Sequence, residues 1–164
     1  LFTTLRPLSG ARRGPAVDFY GVDLTHSVLE LFAGHHITMK VHLEGQQIRL
    51  LGYPEDLNTA LVNLIGNSVF WLEQSKTKDP RIDIRFRWQN KEAVILVDDN
   101  GPGIPEEFFD RIFEVGFTLK NNGTGLGLNI AKEALARSNA TLAFHLDFKG
   151  GTRFEIRFPS VRKV

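Results

Sequence analysis

Four stretches of this chain combine residue types that can do chemistry. In Asp98-Asp99-Asn100-Gly101-Pro102-Gly103-Ile104, the hydrophobic run Ala93 to Val97 delivers two carboxylates into a tight turn. A carboxylate at a strand end, beside bare glycine backbone, can accept a hydrogen bond from an exocyclic amine. Buried, such a charge-assisted bond is worth about 1.5–3 kcal/mol. In Lys120-Asn121-Asn122-Gly123-Thr124-Gly125-Leu126-Gly127-Leu128, alternating glycines run into the start of a helix. Exposed amides and a helix N-terminus make a cradle for phosphate, and Lys120 adds a point charge. Asn63 and Asn67 stand at i and i+4, on one helix face, where amide oxygens can meet a hard cation such as Mg²⁺ that also bridges to phosphates. In the segment from Arg111 to Lys120, Phe113 and Phe117 are placed to pin a flap to a core. Each stretch by itself also fits a plainer role: an Asp-Asn-Gly turn, a glycine hinge, a polar helix face, ordinary aromatic packing. The glycine spacing is neither Gly-x-Gly-x-x-Gly nor Gly-x-x-x-x-Gly-Lys-Ser/Thr, and no strand runs directly into it, so the dinucleotide-binding and P-loop readings fail.

These stretches need elements to hold them. Val17 to Leu24 reads as a strand, followed by a helix that Thr25 caps and that ends near Gly34. Ile37, Met39, Val41 and Leu43 alternate as in a half-buried strand, with Gln47 to Tyr53 as its partner across Glu44-Gly45-Gln46. Pro54 opens a second helix, whose core face carries Leu57, Leu61, Leu64, Ile65, Ser68 and Leu72; Asn63 and Asn67 lie on a different face. Ile82 to Trp88 alternates again, and Ala93 to Val97 is apolar enough for a central strand. A third helix runs from about Gly127 to Ser138, and strands over Thr141 to Phe148 and Thr152 to Phe158 close the chain. The pattern predicts an α/β fold, three helices against an antiparallel-dominated sheet. Residues 1–16, with Pro7, Gly10, Gly14, Pro15 and three arginines, read as a linker or arm, and residues 17–164 as the domain. Arg12 and Arg13 read as a solvated charge pair rather than a contact to an acidic partner.

Composition narrows the function classes. A chain of 164 residues, 42% hydrophobic and 24% charged, is one globular domain. The absence of cysteine excludes a disulfide scaffold, a thiolate metal site and a cysteine nucleophile. Twenty basic and nineteen acidic side chains leave a net charge of +1, which gives no electrostatic reason for a nucleic-acid or anionic-membrane partner. No apolar run is long enough to span a bilayer. The sequence opens at Leu1, with no signal-peptide pattern, so a domain of a longer polypeptide is expected.

In this order and at these spacings, the stretches resemble the ATP-binding domain of sensor histidine kinases, within the superfamily shared with gyrase, chaperone and mismatch-repair ATPases. Leu61-Val62-Asn63-Leu64-Ile65-Gly66-Asn67-Ser68 is similar to the N box, and Asp99-Asn100-Gly101-Pro102-Gly103-Ile104 to the G1 box. Arg111-Ile112-Phe113-Glu114 with Phe117-Thr118-Leu119-Lys120 is similar to the F box. Gly123-Thr124-Gly125-Leu126-Gly127-Leu128 is similar to the G2 box, and Gly150-Gly151-Thr152-x-Phe154 to the short closing motif. The resemblance covers roughly residues 17–159. It implies a two-layer α/β sandwich, a mixed and mostly antiparallel sheet with three helices on one face, and ATP held under a flexible lid of about residues 115–124. It implies that Asp99 reads the adenine amine, that Gly101 and Gly103 let the base approach beside Ile104, and that Thr152 lies near it. Asn67 would hold Mg²⁺ and Asn63 would support the phosphates. Phe117, Thr118 and Lys120 would belong to the lid, with Lys120 on a phosphate. Gly123, Thr124, Gly125, Leu126, Gly127 and Leu128 would wrap the triphosphate. Asn63 and Lys120 are the residues expected to act in catalysis. The implied activity is donation of the γ-phosphoryl group to a histidine on a separate dimerisation domain, with a response regulator served indirectly. The implied setting is cytoplasmic, in a parent chain either free or membrane-anchored, with no nucleic-acid or direct membrane contact and an isolated domain that is monomeric.

The departures carry information too. Phe70, followed by Trp71, stands where many such kinases carry a basic residue, and the expectation is an aromatic pair packed in its place. Gly116 stands where a bulky residue is usual, which predicts a looser lid. None of His26, His35, His36, His42 and His145 has the sequence context of the family's phosphoacceptor. Two alternatives stay open. One is a conformational ATPase of the gyrase or mismatch-repair kind, which uses a glutamate four residues before the Mg²⁺ asparagine. Asn63 occupies that position and cannot take a proton from water at neutral pH. The other is a nucleotide-binding switch without turnover.

Overall fold

A computed structural model of the chain describes residues 13–120, 123 and 125–159, and the backbone of 161–163. The larger sheet owes its two faces to period-two alternation. Its strands are β2 (Thr38–Glu44), β4 (Arg81–Gln89), β5 (Glu92–Asp99), β6 (Thr141–Phe144) and β7 (Thr152–Phe158), in the order β2-β4-β5-β7-β6. The β2–β4 pair is parallel and the others are antiparallel. On the inward face, Ile82, Ile84 and Phe86 of β4, Ala93, Ile95 and Val97 of β5, and Phe154, Ile156 and Phe158 of β7 form one core. Helices α1 (Gly21–Glu30), α2 (Pro54–Gln74) and α3 (Gly127–Arg137) cover that face, with Leu57, Leu61, Leu64, Ile65, Ala131 and Leu135 in the same core. The outward face carries ion pairs instead. Asp98 accepts from Arg85 and from both arms of Arg153, and Arg157 pairs with Glu155 and Glu92. A second sheet, in the order β1-β3-β8, joins β1 (Val17–Tyr20), β3 (Ile48–Gly52) and β8 (Val161–Lys163). The result is the expected two-layer α/β sandwich.

Three local expectations are corrected. β3 is not the hairpin partner of β2. It pairs antiparallel with β1, while β2 runs parallel to β4 in a register that sets Met39, Val41 and Leu43 beside Ile82, Ile84 and Phe86. That register aligns the apolar rows of β2 and β4, and it lets Ile48 and Leu50 bury to 5% and 0% exposure in the second sheet. Next, the first helix starts at Gly21 rather than after a Thr25 cap. A Cβ on Gly21 would stand 2.8 Å from both Leu50 and Phe86, so glycine lets this helix start approach the sheet. Thr25 lies inside α1, buried, with its hydroxyl donating to the Gly21 carbonyl at 2.8 Å. Finally, Arg13 is not a solvated charge. It forks onto both oxygens of Asp56 at 2.7 Å and lies over the Tyr53 ring at 4.4 Å. Arg12 lies outside the described residues.

Candidate nucleotide site

Alternation along β5 separates its two terminal carboxylates. Asp99 continues the inward row of Ala93, Ile95 and Val97, whereas Asp98 points to the outward ion pairs. Asp99 is 9% exposed and lies opposite Thr152 in the sheet register. Its Oδ2 accepts from the Ser68 hydroxyl at 2.7 Å, and its Oδ1 from the Gly101 amide at 2.9 Å and the Thr152 amide at 3.3 Å. Burial pushes the Asp99 carboxyl above the usual carboxylate range. The three donors pull it back, and neighbouring Asp98 pushes it further up. Gly151 has to be glycine here, because a Cβ would fall 1.8 Å from the Asp99 carbonyl oxygen at a φ of +154°.

Asp99 forms part of the wall of a cavity of about 370 Å³. From α2, Asn63 and Asn67 reach the same wall, one turn apart, with Gly66 and Trp71. Asn63 donates its Nδ2 to the Thr59 carbonyl at 2.8 Å and leaves its oxygen facing Gly127, where a Cβ would come within 3.3 Å. Gly127 is the first residue of α3, and no side chain caps that helix start. Gly103, Ile104 and Thr152 line the cavity beside Asp99, and Phe117, Thr118, Lys120, Gly123, Gly125 and Leu128 line it from the glycine-rich side. Gly101 stays behind the wall and acts through its hydrogen bond to Asp99, while Leu126 is the N-cap residue of α3 with an exposed side chain. Thr124 lies outside the described residues.

The segment between β5 and α3 is fastened at named points. Ile112 is 5% exposed, in the core, and Phe113 meets Phe154 edge-on at 6.3 Å. Phe117 packs on Phe108 at 5.6 Å with the Arg111 guanidinium over its ring. Gly116 leaves open space where a side chain would stand, and a backbone contact closes the loop beside it. Its amide donates to the Gly125 carbonyl at 3.0 Å, and a Cβ on Gly125 would stand 2.2 Å from the Gly116 carbonyl carbon. Phe70 and Trp71 do pack as a pair, edge to face at 5.0 Å, and the Lys120 ammonium sits 4.7 Å from the centre of the Phe70 ring. Burial lowers the Lys120 pKa. Ser68 closes the N-box stretch on the core face of α2, and the lone hydroxyl on that face is the sequence signal for a buried acceptor opposite it. Trp71 lines the cavity outside the motifs, with no signal beyond its pairing with Phe70.

Residues 52–162 match the model of the family described as histidine kinase-, DNA gyrase B-, and HSP90-like ATPases. The chain belongs to this family. It is 33% identical over 132 residues to a probable C4-dicarboxylate sensor kinase of Bacillus subtilis, covering 77% of this chain and 24% of the relative. It is 32% identical over 143 residues to the sensor histidine kinase RppB of Synechocystis, covering 84% of this chain and 31% of the relative. The chain thus spans less than a third of the length of these curated relatives. The catalytic domain of histidine kinase ThkA, in a nucleotide-free form, superposes with a TM-score of 0.76 at 23% identity, over 90% of this chain and 97% of that one. That likeness shows the fold, and the family match shows an ATP-binding catalytic domain. Among the described residues, no helix of the domain is long and apolar enough to cross a membrane.

Proposed function

We propose that this domain binds ATP through Asp99 and donates its γ-phosphoryl group to a histidine on a separate dimerising domain of a two-component sensor kinase, on the cytoplasmic side. The observation that carries the reading is the state of Asp99. A carboxylate offers about four acceptor sites. Ser68, Gly101 and Thr152 use three of them, one on Oδ2 and two on Oδ1, so this cavity-lining residue keeps one acceptor site for a ligand. The exocyclic amine of adenine suits that site, whereas guanine presents a carbonyl there. The uncapped start of α3 and Lys120 suit the phosphates.

The donor set also fits Mg²⁺. Among the described residues, no group of three His, Asp or Glu side chains forms a site of its own, so the ion would come with the nucleotide and be held by Asn67 together with phosphate and water oxygens. When bound, it would neutralise charge on the phosphates. Asn63 and Lys120 orient and screen those phosphates, and phosphoryl transfer is mostly positioning and electrostatics, so an external nucleophile completes the site. A hydrolytic reading lacks a base, because Asn63 holds the position where the hydrolysing relatives carry glutamate.

Calorimetry with ATP and with GTP, in the presence of Mg²⁺, tests the reading. ATP is expected to bind, with GTP at least roughly tenfold weaker, which is the value of one lost hydrogen bond to a charged acceptor. No heat with either nucleotide would overturn the proposal. Fast ATP hydrolysis by the isolated chain, lost on Asn63→Ala, would move it to the conformational ATPases.

A further inference from the structure

Lys120 is the one cation among the described residues lining the cavity, and it arrives from the loop side rather than from a helix. A lysine on a loop, with four flexible methylenes, would have to lose much of its side-chain freedom each time it met a phosphate. Here the structure already constrains it. Its ammonium lies 4.7 Å from the centre of the Phe70 ring, within the range of a cation–π contact. The ring is itself fixed on α2, by the edge-to-face contact with Trp71 at 5.0 Å, and Trp71 is part of the cavity wall. The loop backbone is held nearby, because the Lys120 amide donates to the Thr118 hydroxyl at 3.0 Å. A ring face satisfies only one side of an ammonium with three donors, and the other donors stay free to meet an anion in the cavity.

We propose that Phe70 is a positioning residue for Lys120, whose ring face holds the loop ammonium beside the N-box asparagines, so that the cation for the nucleotide phosphates is delivered pre-aligned from the loop. The proposal rests on the ATP reading above. It explains how α2 does without a basic residue at position 70: the charge comes from the opposite wall, and the aromatic ring supplies its seat. A phosphate-bound nucleotide should therefore find Lys120 already in place, and the aromatic character of residue 70, not its bulk, should set the affinity.

The test pairs calorimetry with proton NMR of the chain. Without nucleotide, the ε-methylene protons of Lys120 should be shifted upfield by the Phe70 ring current, and the shift should vanish in Phe70→Leu. With Mg²⁺ and a non-hydrolysable ATP analogue, Phe70→Leu should bind roughly three- to tenfold more weakly, the span of a partly desolvated cation–π contact. Phe70→Tyr should restore wild-type binding. Lys120→Met should weaken binding, and adding Phe70→Leu to it should cost nothing more, because the ring then has no ammonium to place. Unshifted Lys120 protons in the wild type, tighter binding by Phe70→Leu, or additive losses in the double variant would each overturn the proposal. If the wild-type chain binds no nucleotide, the ATP reading fails. If it binds and the Phe70 series is flat, this inference alone fails.

Discussion

At the scale of single residues, Asp99 links stability and binding with opposite signs. Burial raises its pKa in the folded chain, so the ionised form is less comfortable there than in the unfolded chain. Its contribution to stability is therefore present below the ordinary carboxylate value and lost as pH rises through the raised one. At neutral pH, Asp99→Asn should leave the melting temperature unchanged or higher. The proposed ATP contact needs the charge. Asp99→Ala should cost about 1.5–3 kcal/mol of ATP affinity, roughly ten- to a hundredfold, because a charged acceptor is lost. Wild-type affinity should fall on acidification as soon as the raised carboxyl begins to protonate, at a higher pH than for an unperturbed carboxylate. Calorimetry across the acid range, beside thermal melts, checks both signs. A melting temperature that drops sharply in Asp99→Asn would show that the carboxylate is a structural anchor instead.

At the scale of elements, one backbone contact closes the glycine-rich end of the loop between β5 and α3. Gly116 donates to Gly125, and both have positive φ, +86° and +70°. They should respond differently to alanine. A Cβ on Gly116 meets open space, so Gly116→Ala carries only the left-handed backbone cost of about 1–2 kcal/mol. On Gly125 it would meet the Gly116 backbone at 2.2–2.7 Å, so the loop closure must open. Gly125→Ala should lose at least roughly tenfold in ATP affinity, with a smaller change in melting temperature than a core substitution would give. A Gly125→Ala variant that binds like the wild type would show that the closure does not shape the cavity. This contact also marks what the sequence could carry. The glycine spacing located one side of the cavity, and the alternation of β4 with the apolar run of β5 located the centre of the sheet, because both depend on residues near in sequence. The pairing of Gly116 with Gly125, and of β3 with β1 rather than β2, depends on which backbones meet across the fold. Glu44-Gly45-Gln46 does turn the chain, with Gly45 at a φ of +89°, but a turn of that length fixes no partner. Likewise Val22 and Leu24 alternate as strand residues would, yet they sit on α1, because Gly21 allows the helix to start against Leu50 and Phe86.

At the scale of the whole molecule, a second buried carboxylate holds together pieces far apart in sequence. Asp56, 1% exposed on the first turn of α2, accepts both arms of Arg13 and the Ser138 hydroxyl, each at 2.7 Å, with Arg137 at 3.6 Å. Ser138 in turn accepts the Tyr53 amide at 3.0 Å, and the Tyr53 hydroxyl donates to the Gly14 carbonyl at 3.0 Å. The knot thus ties residues 13 and 14 to the end of β3, the start of α2 and the end of α3. Asp56 sits roughly 10 Å of helix rise before Asn63, so it should act on stability and not on the nucleotide cavity. Burial works to raise its pKa but is outweighed by the hydrogen bonds of Arg13 and Ser138 and by the charges of Arg13 and Arg137, which hold the carboxyl below the usual range. The sign is opposite to that of Asp99. The stability Asp56 contributes is fully present above the ordinary carboxylate value and is lost as pH falls through the lowered one. Asp56→Ala should cost about 1–3 kcal/mol at neutral pH, from lost charge-assisted bonds at a helix start, with ATP affinity unchanged within about twofold. Denaturant unfolding of wild type and variant across the acid range checks it. The gap between the two curves should be constant near neutrality and close on acidification, as the wild-type carboxylate takes up its proton. A gap that widens in acid would mean that Asp56 is held neutral in the fold, and that the arginines around it serve another acceptor.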